Sequence, residues 1–473
     1  MRRTVVMWTA AMLAALAASV PAAGQWVESD KLIAPDAAMT DGFGFSVGVS
    51  GDTIIVGSFN DDDYGPESDS GSAYLFDAIT GNQLGDKLTA SDADWGDTFG
   101  TSVAISGNIA IVGAPDHHHN GDANLRGGSA YLFNVTTGAE LYELIASDAA
   151  DRDYFGFSVG ISGNTAIVGA YGDGDGWTGA AYLFNVTTGQ QIGQKLVAPD
   201  AAADDEFGAA VAISGSTVIV GARADDDGGD ASGSAYLFNA TTGLQIGQKL
   251  IAPDDEANDL FGTSVAVSGY RAIVGAPGNG GLTGAAYLFD WTTDPPVGQK
   301  LTAPDGLPND VFGSSVAISG NAAIVGAYGD DTFSGSAYLF DLTTGQPQKI
   351  TASDPSAYKQ FGLSVAVNGG TAVIGAIGDS QAGMYGGAAY VYASGSDSGF
   401  RLNGIQVSEL ELPTLATPVL AAGDTLSGQG TRDGVFVGQG GSAIVVDEGN
   451  MTLGDPASYG PSHKKCPIGV DGR

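Results

Sequence analysis

The stretch FGFSVGISGNTAIVGA, residues 155–170, decides the fold, because the chain contains seven versions of it. It begins with Phe-Gly, alternates small and apolar residues, breaks at Ser-Gly-Asn, and ends in an aliphatic run closed by Gly-Ala. The Phe-Gly pair recurs at intervals of 56, 56, 52, 54, 51 and 49 residues, at Phe43, Phe99, Phe155, Phe207, Phe261, Phe312 and Phe361. A period near 50 residues predicts a repeat architecture.

Each repeat contains four short strand-like runs, which in the third repeat are FGFSVGIS, TAIVGA, GAAYLFN and QKLVA. Ser-Gly-Asn separates the first two runs and Thr-Thr-Gly the last two, and both are turn-forming sequences. Four strands in about 50 residues match one blade of a β-propeller. The runs are apolar or small on both faces, as packing between neighbouring blades requires. A parallel solenoid would also repeat, but its units are usually shorter.

The fourth run indicates how the ring closes. It occurs seven times, at Lys31, Lys87, Glu143, Lys195, Lys249, Lys300 and Lys349, and its first copy precedes the first Phe-Gly. No copy follows the last third run, residues 388–392. The strand near Lys31 should therefore complete the last blade and leave no open sheet edge. We predict an all-β chain: a seven-bladed β-propeller of four-stranded blades over residues 26–393, then a short C-terminal extension, residues 394–473, containing a small β or solenoid-like piece.

The Phe-Gly and Gly-Ala ends of the repeat, extended to Gly-Ala-Pro at residues 113–115 and 275–277, resemble the FG-GAP repeat. That repeat builds the propeller of integrin α subunits and of many secreted bacterial proteins, and the fold it implies agrees with the strand count. The family's calcium sites usually lie in the hairpin between strands 1 and 2 as a D-x-D-x-D-G-like loop. Here those hairpins are only SGNI, SGNT, SGST or SGYR. Integrin-type calcium sites are therefore not expected. Integrin ligand recognition is not expected either, because it also depends on a partner subunit.

The N-terminus has the pattern of a secretory signal peptide. Arg2 and Arg3 precede an apolar segment, residues 5–18, and a small-residue site follows at residues 22–23. The alternative is a buried N-terminal helix, but no other segment matches it at helical period. We expect residues 1–23 to be removed, and the remaining chain to be a monomer without a membrane span, secreted or in the cell envelope. With one cysteine, Cys466, the fold must depend on packing and not on disulfides.

The chain is strongly acidic, with a net charge of −36 from 54 acidic and 18 basic residues. Nucleic acid is not an expected partner, because phosphate contacts need clustered lysine or arginine. In an up-and-down blade the 2–3 loops and the 4–1 loops, which lead from strand 4 into the next strand 1, share one face. These loops carry 35 of the 54 acids, which predicts a negative face. Such a face attracts cations and basic surfaces, or it only keeps the protein soluble.

Three of these loops are candidate calcium sites. Their sequences are NDDDYGPESDSG at 60–71, GDGDG at 172–176 and DDDGGD at 225–230. Carboxylates in flexible, glycine-rich loops are the oxygen ligands that hard cations prefer. The candidate ligands are Asp61, Asp62, Asp63, Asp173, Asp175, Asp225, Asp226, Asp227 and Asp230. None of the loops is a complete EF-hand, and a solvated face or Asx turns would explain the same residues.

Residues for catalysis are scarce. The chain has four histidines, three of them consecutive at 117–119, and no Ser or Cys nucleophile in a recognisable motif. Adjacent histidines do not by themselves make a metal site, so we interpret them as an exposed polar loop. Paired carboxylates recur in blade after blade, whereas an active site usually breaks a repeat, so we do not expect an enzyme.

The expected function is a secreted, non-catalytic binding or adhesion module, whose acidic face engages cations and an extracellular protein or polysaccharide. A structural exoprotein of the cell envelope or matrix is the first alternative. An extracellular hydrolase is the second.

Overall fold

The chain forms a seven-bladed β-propeller. A computed structural model describes residues 25–62, 69–118, 126–292, 296, 298–381 and 383–394, together with the backbone of strands between residues 400 and 454. The chain divides into two units, Glu28–Tyr392 and a unit comprising Met1–Val27 and Ala393–Arg473. The first unit contains seven small antiparallel sheets arranged in a ring, which confirms the predicted fold.

Each sheet is one blade, and its first three strands follow one another along the chain. The blades are β2 (Phe43–Ser50), β3 (Thr53–Ser58) and β4 (Ser72–Asp77) in blade 1; β5 (Ser102–Ser106), β6 (Ile109–Ala114), β7 (Ser129–Asn134) and β8 (Glu140–Leu144) in blade 2; β9 (Ser158–Ser162), β10 (Thr165–Ala170) and β11 (Ala180–Asn185) in blade 3; β12 (Phe207–Ser214), β13 (Thr217–Ala222) and β14 (Ser234–Asn239) in blade 4; β15 (Ser264–Ser268), β16 (Arg271–Ala276), β17 (Ala285–Asp290) and β18 (Gln299–Leu301) in blade 5; β19 (Ser315–Ser319), β20 (Ala322–Ala327), β21 (Ser336–Asp341) and β22 (Pro347–Ile350) in blade 6; and β23 (Val365–Asn368), β24 (Thr371–Ala376), β25 (Ala388–Ser394) and β1 (Trp26–Leu32) in blade 7.

The fourth strand is regular in four blades only. Blades 2, 5, 6 and 7 have four strands, whereas blades 1, 3 and 4 have three. In those three blades the fourth segment pairs with strand 3 through isolated bridges, such as Ala181↔Leu196 and Phe184↔Gln191 in blade 3. Between these two bridges lies Gly193, whose φ of +67° bends the segment out of extended geometry. The prediction of four-stranded blades is therefore confirmed in four blades. In the other three the fourth segment is present but does not form a regular strand.

The two ends of the propeller meet in blade 7, as predicted. The strand order in its sheet is β1-β25-β24-β23, so the N-terminal strand is the outermost one. Ser29 Oγ donates a hydrogen bond to the carbonyl of Val391 at 3.2 Å. On the other side of the junction, the N–H of Phe43 donates to the carbonyl of Gly386 at 3.2 Å. The ring is thus closed without a covalent link.

The repeated Phe-Gly and Gly-Ala pairs form the junctions between blades. The seven phenylalanines are completely buried, and hydrophobic clusters join two blades, as when Ile111 and Leu132 of blade 2 pack with Phe155 of blade 3. The glycines of the two pairs meet across the junction. A Cβ atom on Gly375 would lie 1.9 Å from the carbonyl oxygen of Gly44, which itself has a φ of +90°. Only glycine fits this contact, which explains why the glycine of each pair recurs in every repeat, although Ser58 follows it in blade 1.

The other elements are short. Two one-turn helices, α1 (Asn279–Leu282) and α2 (Asp330–Phe333), lie in the 2–3 loops of blades 5 and 6. In the C-terminal extension, β26 (Phe400–Leu402), β27 (Ile405–Val407) and β28 (Leu426–Ser427) form one antiparallel sheet, and β29 (Gly434–Val437), β30 (Ala443–Asp447) and β31 (Asn450–Gly454) form another. Among the described residues no helix is long and apolar enough to cross a membrane. The predicted signal peptide, residues 1–23, lies outside them.

Candidate functional site

The 2–3 and 4–1 loops lie together on one face of the ring, which we call the loop face. At each junction the 2–3 loop of one blade pairs with the 4–1 loop that leads into the next. Between blades 6 and 7, for example, the N–H of Gln360 donates to the carbonyl of Phe333 at 2.8 Å, and that of Phe361 to Ser334 at 3.0 Å. The acidic loops predicted from the sequence are therefore neighbours in space.

A buried tyrosine in strand 3 of every blade is the centre of a polar cluster on this face. In blade 3, the hydroxyl of Tyr182 contacts Asp148 Oδ1 at 2.8 Å and also contacts Asp173. Lys195 places its Nζ 2.8 Å from Asp148 and 2.6 Å from Asp173. Asp153 completes the set, and its Oδ2 accepts the N–H of Ala150 at 2.6 Å. The tyrosine and the lysine thus join one carboxylate from each loop.

The same five positions recur in all seven blades, and we call the sets clusters 1 to 7. The positions are an outer Asp and a central residue from the 4–1 loop, a residue from the 2–3 loop, the tyrosine, and a strand-4 residue. The sets are Asp36, Asp41, Asp61, Tyr74 and Lys87; Asp92, Asp97, His117, Tyr131 and Glu143; Asp148, Asp153, Asp173, Tyr182 and Lys195; Asp200, Asp205, Asp225, Tyr236 and Lys249; Asp254, Asp259, Asn279, Tyr287 and Lys300; Asp305, Asp310, Asp330, Tyr338 and Lys349; and Asp354, Lys359, Asp379, Tyr390 and Lys31.

In five clusters a lysine ammonium lies between two carboxylates, and in cluster 5 Lys300 contacts Asp254 and the amide oxygen of Asn279. In cluster 4 burial alone would lower the pKa of Lys249, but hydrogen bonds with Asp227 and Asp200 and the charge of Asp225 raise it. Burial likewise opposes ionisation of Asp200, yet hydrogen bonds from Lys249 and Tyr236 bring its pKa below the ordinary value. Each of these six clusters therefore contains its own cation.

The central carboxylates behave differently. Burial raises the pKa of Asp153 to about 6 despite its hydrogen bond from Ala150, and it does the same to Asp41. The Tyr182 hydroxyl also has a raised pKa, first through burial and then through its contacts with Asp173 and Asp148, so it remains a protonated donor.

The structure places the predicted calcium ligands at two depths. Asp61, Asp173 and Asp225 are buried at the 2–3 position of clusters 1, 3 and 4, where tyrosine and lysine contact them. Asp62 is half-buried, whereas Asp175, Asp226, Asp227 and Asp230 are exposed, and Asp63 lies outside the described residues. One oxygen each of Asp200, Asp225 and Asp227 lies within 4.8 Å of the others, and Lys249 contacts all three residues. Calcium binding stays a prediction.

Cluster 2 differs from the other six, and this difference was not predicted from the sequence. His117 stands where five blades have Asp and one has Asn, and Glu143 stands where the others have Lys. The signal was available, because His117 follows Gly113 by four residues just as Asp173 follows Gly169. His117 is only 5% exposed, so the prediction of an exposed polar loop is wrong for this residue. His118 is half-buried, and His119 lies outside the described residues.

The His117 ring lies among carboxylates. Its Nδ1 is 3.0 Å from Asp97 Oδ2, and its Nε2 is 3.7 Å from Asp92 Oδ2 and 3.8 Å from Glu143 Oε1. Tyr131 donates to the other oxygen of Asp92 at 2.9 Å. Burial alone would lower the pKa of His117, but its hydrogen bond with Asp97 and the charges of Asp97, Asp92 and Glu143 raise it. In the absence of another cation, these carboxylates therefore favour a positive charge on the ring.

The loop face also exposes large apolar side chains. Nine of the eighteen exposed large hydrophobic residues of the described chain are on it: Met39, Trp95, Trp177, Leu282, Leu307, Phe333, Tyr358, Met384 and Tyr385. Both exposed tryptophans are among them, and Trp95 is 64% exposed. By contrast, the 1–2 and 3–4 loops of the opposite face expose only Ile79, Leu244 and Tyr270 among the described residues. The two faces thus differ in apolar as well as acidic content.

The backbone of the loop face is also unusual. All twenty non-glycine residues with positive φ in the described chain lie in its 2–3 and 4–1 loops. They include the exposed aromatic residues Trp177, Tyr358 and Tyr385, with φ near 60°. Left-handed geometry at such residues costs on the order of 1–3 kcal/mol each and is concentrated at functional sites. The rest of the propeller must offset this strain.

A family model described as FG-GAP repeat matches seven segments: residues 26–76, 84–133, 139–184, 192–238, 247–289, 297–340 and 344–392. Each segment ends in strand 3 of a blade, which agrees with the 4-1-2-3 chain order of the structure. A comparison with curated proteins finds no match.

Proposed function

Because the chain belongs to the FG-GAP repeat family, we propose that it is a secreted, non-catalytic binding module that engages an extracellular protein or polysaccharide through its loop face. The propeller fold of the family supports a binding or structural module in general terms. The observation that carries the more specific proposal is the concentration of exposed aromatic and apolar side chains on the acidic face. Tryptophan and tyrosine are enriched in the energetically dominant part of interfaces.

The exposed side chains are held in defined places, which favours ligand binding over a passive surface. Phe333 and Tyr358, from adjacent blades, stack with ring centroids 6.2 Å apart and planes at 12°. The Trp177 ring meets the Tyr171 ring edge-on at 5.8 Å. The hydrogen bonds between loops of adjacent blades fix the backbone that carries these rings. Such preorganisation reduces the entropy lost on binding.

The acidic residues of the face set the chemistry of the ligand. Aromatic rings beside carboxylates suit a partner that offers apolar surface together with cationic or hydroxyl groups. The exposed acids, including Asp175, Asp226 and Asp230, are also proposed to take up calcium, because carboxylates provide the oxygen ligands it prefers.

The binding proposal is tested with the mature chain immobilised against a panel of extracellular polysaccharides, basic proteins and neutral proteins. Trp177→Ala and Tyr358→Ala on the loop face should abolish binding to any partner found. Tyr270→Ala and Leu244→Ala change side chains that are also exposed, on the opposite face, so they are the matched controls and should bind as the wild type does. If all four variants bind alike, or nothing in the panel binds, a structural role replaces the proposal.

Two further measurements test the remaining parts. Incubating each bound polymer with the protein should leave its length unchanged, and the appearance of cleavage products would make the protein a hydrolase. Expression with and without residues 1–23 should give export only when they are present. Recovery of both forms outside the cell would contradict the signal peptide.

A further inference from the structure

We propose that cluster 2 is a binding site for a divalent transition-metal ion of the zinc type, held by Asp92, His117 and Glu143. This site goes beyond the proposed ligand-binding function, because it uses none of the exposed aromatic residues. It also differs from the calcium prediction in both residues and ion class.

The distances between the donor atoms fit such an ion. His117 Nε2 and one carboxylate oxygen each of Asp92 and Glu143 all lie within 4.8 Å of one another. The Nε2 atom is 3.7 Å from Asp92 Oδ2 and 3.8 Å from Glu143 Oε1. Ligands of a tetrahedral ion with bonds near 2.0–2.2 Å are separated by roughly 3.3–3.6 Å. Small side-chain movements would therefore bring the three atoms into coordination.

The donor set selects the class of metal. An imidazole nitrogen with carboxylate oxygens suits zinc and related ions, whereas calcium and magnesium take oxygen ligands almost exclusively. Glu143 and Asp92 have side chains that are 28% and 46% exposed, so solvent reaches the cluster. An ion can therefore enter from solution, and water can complete its coordination.

A buried carboxylate, Asp97, orients the histidine through the ring nitrogen that would not bind the metal. Asp97, which is 1% exposed, accepts the Nδ1 hydrogen of His117 with its Oδ2 at 3.0 Å. This contact fixes the tautomer that presents Nε2 to a metal, as in many carboxylate–histidine–zinc arrangements. The other oxygen of Asp97 is buried without a hydrogen-bond partner among the described residues. Ser129 donates to Glu143 at 2.8 Å and orients the second carboxylate ligand.

The charge of the cluster is the independent argument. With neutral histidine, cluster 2 contains three carboxylates and no lysine or arginine at its five positions. Each of the other six clusters has at least one lysine there. In cluster 4 three carboxylates also converge, but Lys249 Nζ lies among them, 3.0 Å from Asp200 and 3.2 Å from Asp225. Cluster 2 lacks this internal cation and has the nitrogen ligand His117 in addition, so a bound metal ion would compensate the charge of its carboxylates.

Zinc titration of the full mature chain, purified without a polyhistidine tag, is the direct test. Calorimetry with zinc chloride should give one tight equivalent, and an equal concentration of calcium should not displace it. His117→Gln should lose that equivalent. His463→Gln, which changes a histidine of the C-terminal extension, is the matched control and should keep it.

Exchanges between blades 2 and 3 give a sharper test. Glu143→Lys introduces the residue found in the other six clusters and should abolish zinc binding in a folded protein. The double variant Asp173→His, Lys195→Glu rebuilds the constellation in cluster 3 and should give a second equivalent. Asp97→Asn should weaken binding by roughly 10–100-fold, as loss of a supporting carboxylate typically does. Asp153→Asn changes the equivalent residue of blade 3 and should leave zinc affinity unchanged.

Several results would overturn the proposal. They are no zinc binding by the wild type, an unchanged equivalent in His117→Gln or Glu143→Lys, or its loss in His463→Gln. In the first case His117 is a protonated substitute for the missing lysine, and the cluster is an internal ion pair. Circular dichroism and thermal melts accompany each variant. If His117→Gln does not fold, Glu143→Lys decides, because its lysine is accommodated at the equivalent position of every other blade.

Discussion

Clusters 2 and 7 occupy equivalent positions in two blades, but cluster 7 is electrically balanced and cluster 2 has an excess of carboxylates. Cluster 7 contains two lysines and two aspartates, because Lys359 replaces the central Asp of the other six clusters. Lys359 Nζ lies 2.8 Å from Asp354 and 2.6 Å from Asp379, and Lys31 Nζ lies 2.8 Å from each of them. Cluster 2 contains no lysine. The repeat therefore conserves a set of positions and not a set of interactions.

The two clusters also differ in where they lie along the chain. Cluster 7 joins the N-terminal strand to the last blade, so its ion pairs connect residues more than 300 positions apart, such as Lys31 and Asp354. A neutral, fully paired cluster is suited to holding two chain ends together without a covalent bond. Blade 2 lies within the continuous part of the ring, where no chain ends have to be joined. Its cluster can therefore retain excess negative charge. Paired charges close the ring at blade 7. In blade 2, by contrast, the excess negative charge of cluster 2 is available to an external cation.

The largest expected effect comes from removing the closure of cluster 7. Deleting residues 26–35 removes β1, including Lys31 and the buried Leu32, and exposes the edge of β25. Loss of a buried leucine alone costs about 2–5 kcal/mol, and the open edge adds a tendency to self-associate. We expect a large fall in thermal stability together with oligomers in size-exclusion chromatography. A deletion variant that melts like the wild type and stays monomeric would show that the ring does not need its closing strand.

The next effect separates the two clusters directly. Lys359 is buried, with its side chain 3% exposed against Asp379 at 2%. Breaking a buried ion pair costs about 3–5 kcal/mol, so Lys359→Met should lie near the lower end while Lys31 remains. Glu143→Met in cluster 2 removes one of several like charges and should cost little or increase the stability of the metal-free protein. Urea unfolding measures both, and equal losses would mean that charge balance does not distinguish the clusters.

The sequence was enough to predict the ring and its closure. Seven Phe-Gly pairs and seven fourth runs, with the first run placed before the first pair, define the blade count and the strand exchange at blade 7. The prediction succeeds because each repeat has the same local turns and the same glycine positions, so the strand assignment of one repeat is supported by that of the others. The interrupted fourth strands of blades 1, 3 and 4 were not predicted, since they depend on the φ value of single glycines such as Gly193.

The clusters could be predicted only in part. The sequence correctly predicts that the acidic loops share one face, but it does not distinguish the acids that are buried from those that are exposed. The structure buries Asp61, Asp173 and Asp225 against tyrosines of strand 3 and lysines of the fourth segment. In the sequence SAYLF the tyrosine has the pattern of an ordinary core residue. Its hydroxyl contacts residues of the 2–3 and 4–1 loops, which the local sequence does not show to be neighbours. The burial of His117 depends on the same long-range contacts, so the sequence pattern alone predicts an exposed loop there.

A smaller effect is the pH dependence of stability that comes from the central position of the clusters. This position is Asp153 in cluster 3 and Lys359 in cluster 7. Burial raises the pKa of Asp153 to about 6, so its ionisation opposes folding. The stability that its protonated form contributes is complete below about pH 4 and is lost as the pH rises through 6. Two pKa units correspond to about 2–3 kcal/mol.

The free energy of unfolding should therefore fall between pH 4 and 7 in the wild type and fall less in Asp153→Asn. Lys359→Met changes the equivalent position of blade 7, which has no central carboxylate, and should leave this slope unchanged. Parallel pH profiles for the wild type and Asp153→Asn would show that Asp153 ionises without cost.

The smallest expected effect tests whether hard cations bind beside a cluster that already contains lysine. In cluster 4, Lys249 lies among Asp200, Asp225 and Asp227, so calcium would have to use the exposed Asp226 and Asp230 of the same loop. A ligand that binds only the folded state at ten times its dissociation constant adds about 1.4 kcal/mol of stability. We expect millimolar calcium to raise the melting temperature more than sodium chloride of equal ionic strength, and Asp226→Asn to remove the difference. Magnesium should do less, because it dehydrates reluctantly and demands octahedral geometry. Ionic screening depends only on the Debye length, so equal shifts with calcium and matched sodium chloride would reduce the acidic loops to a solvated surface and leave cluster 2 as the one proposed metal site.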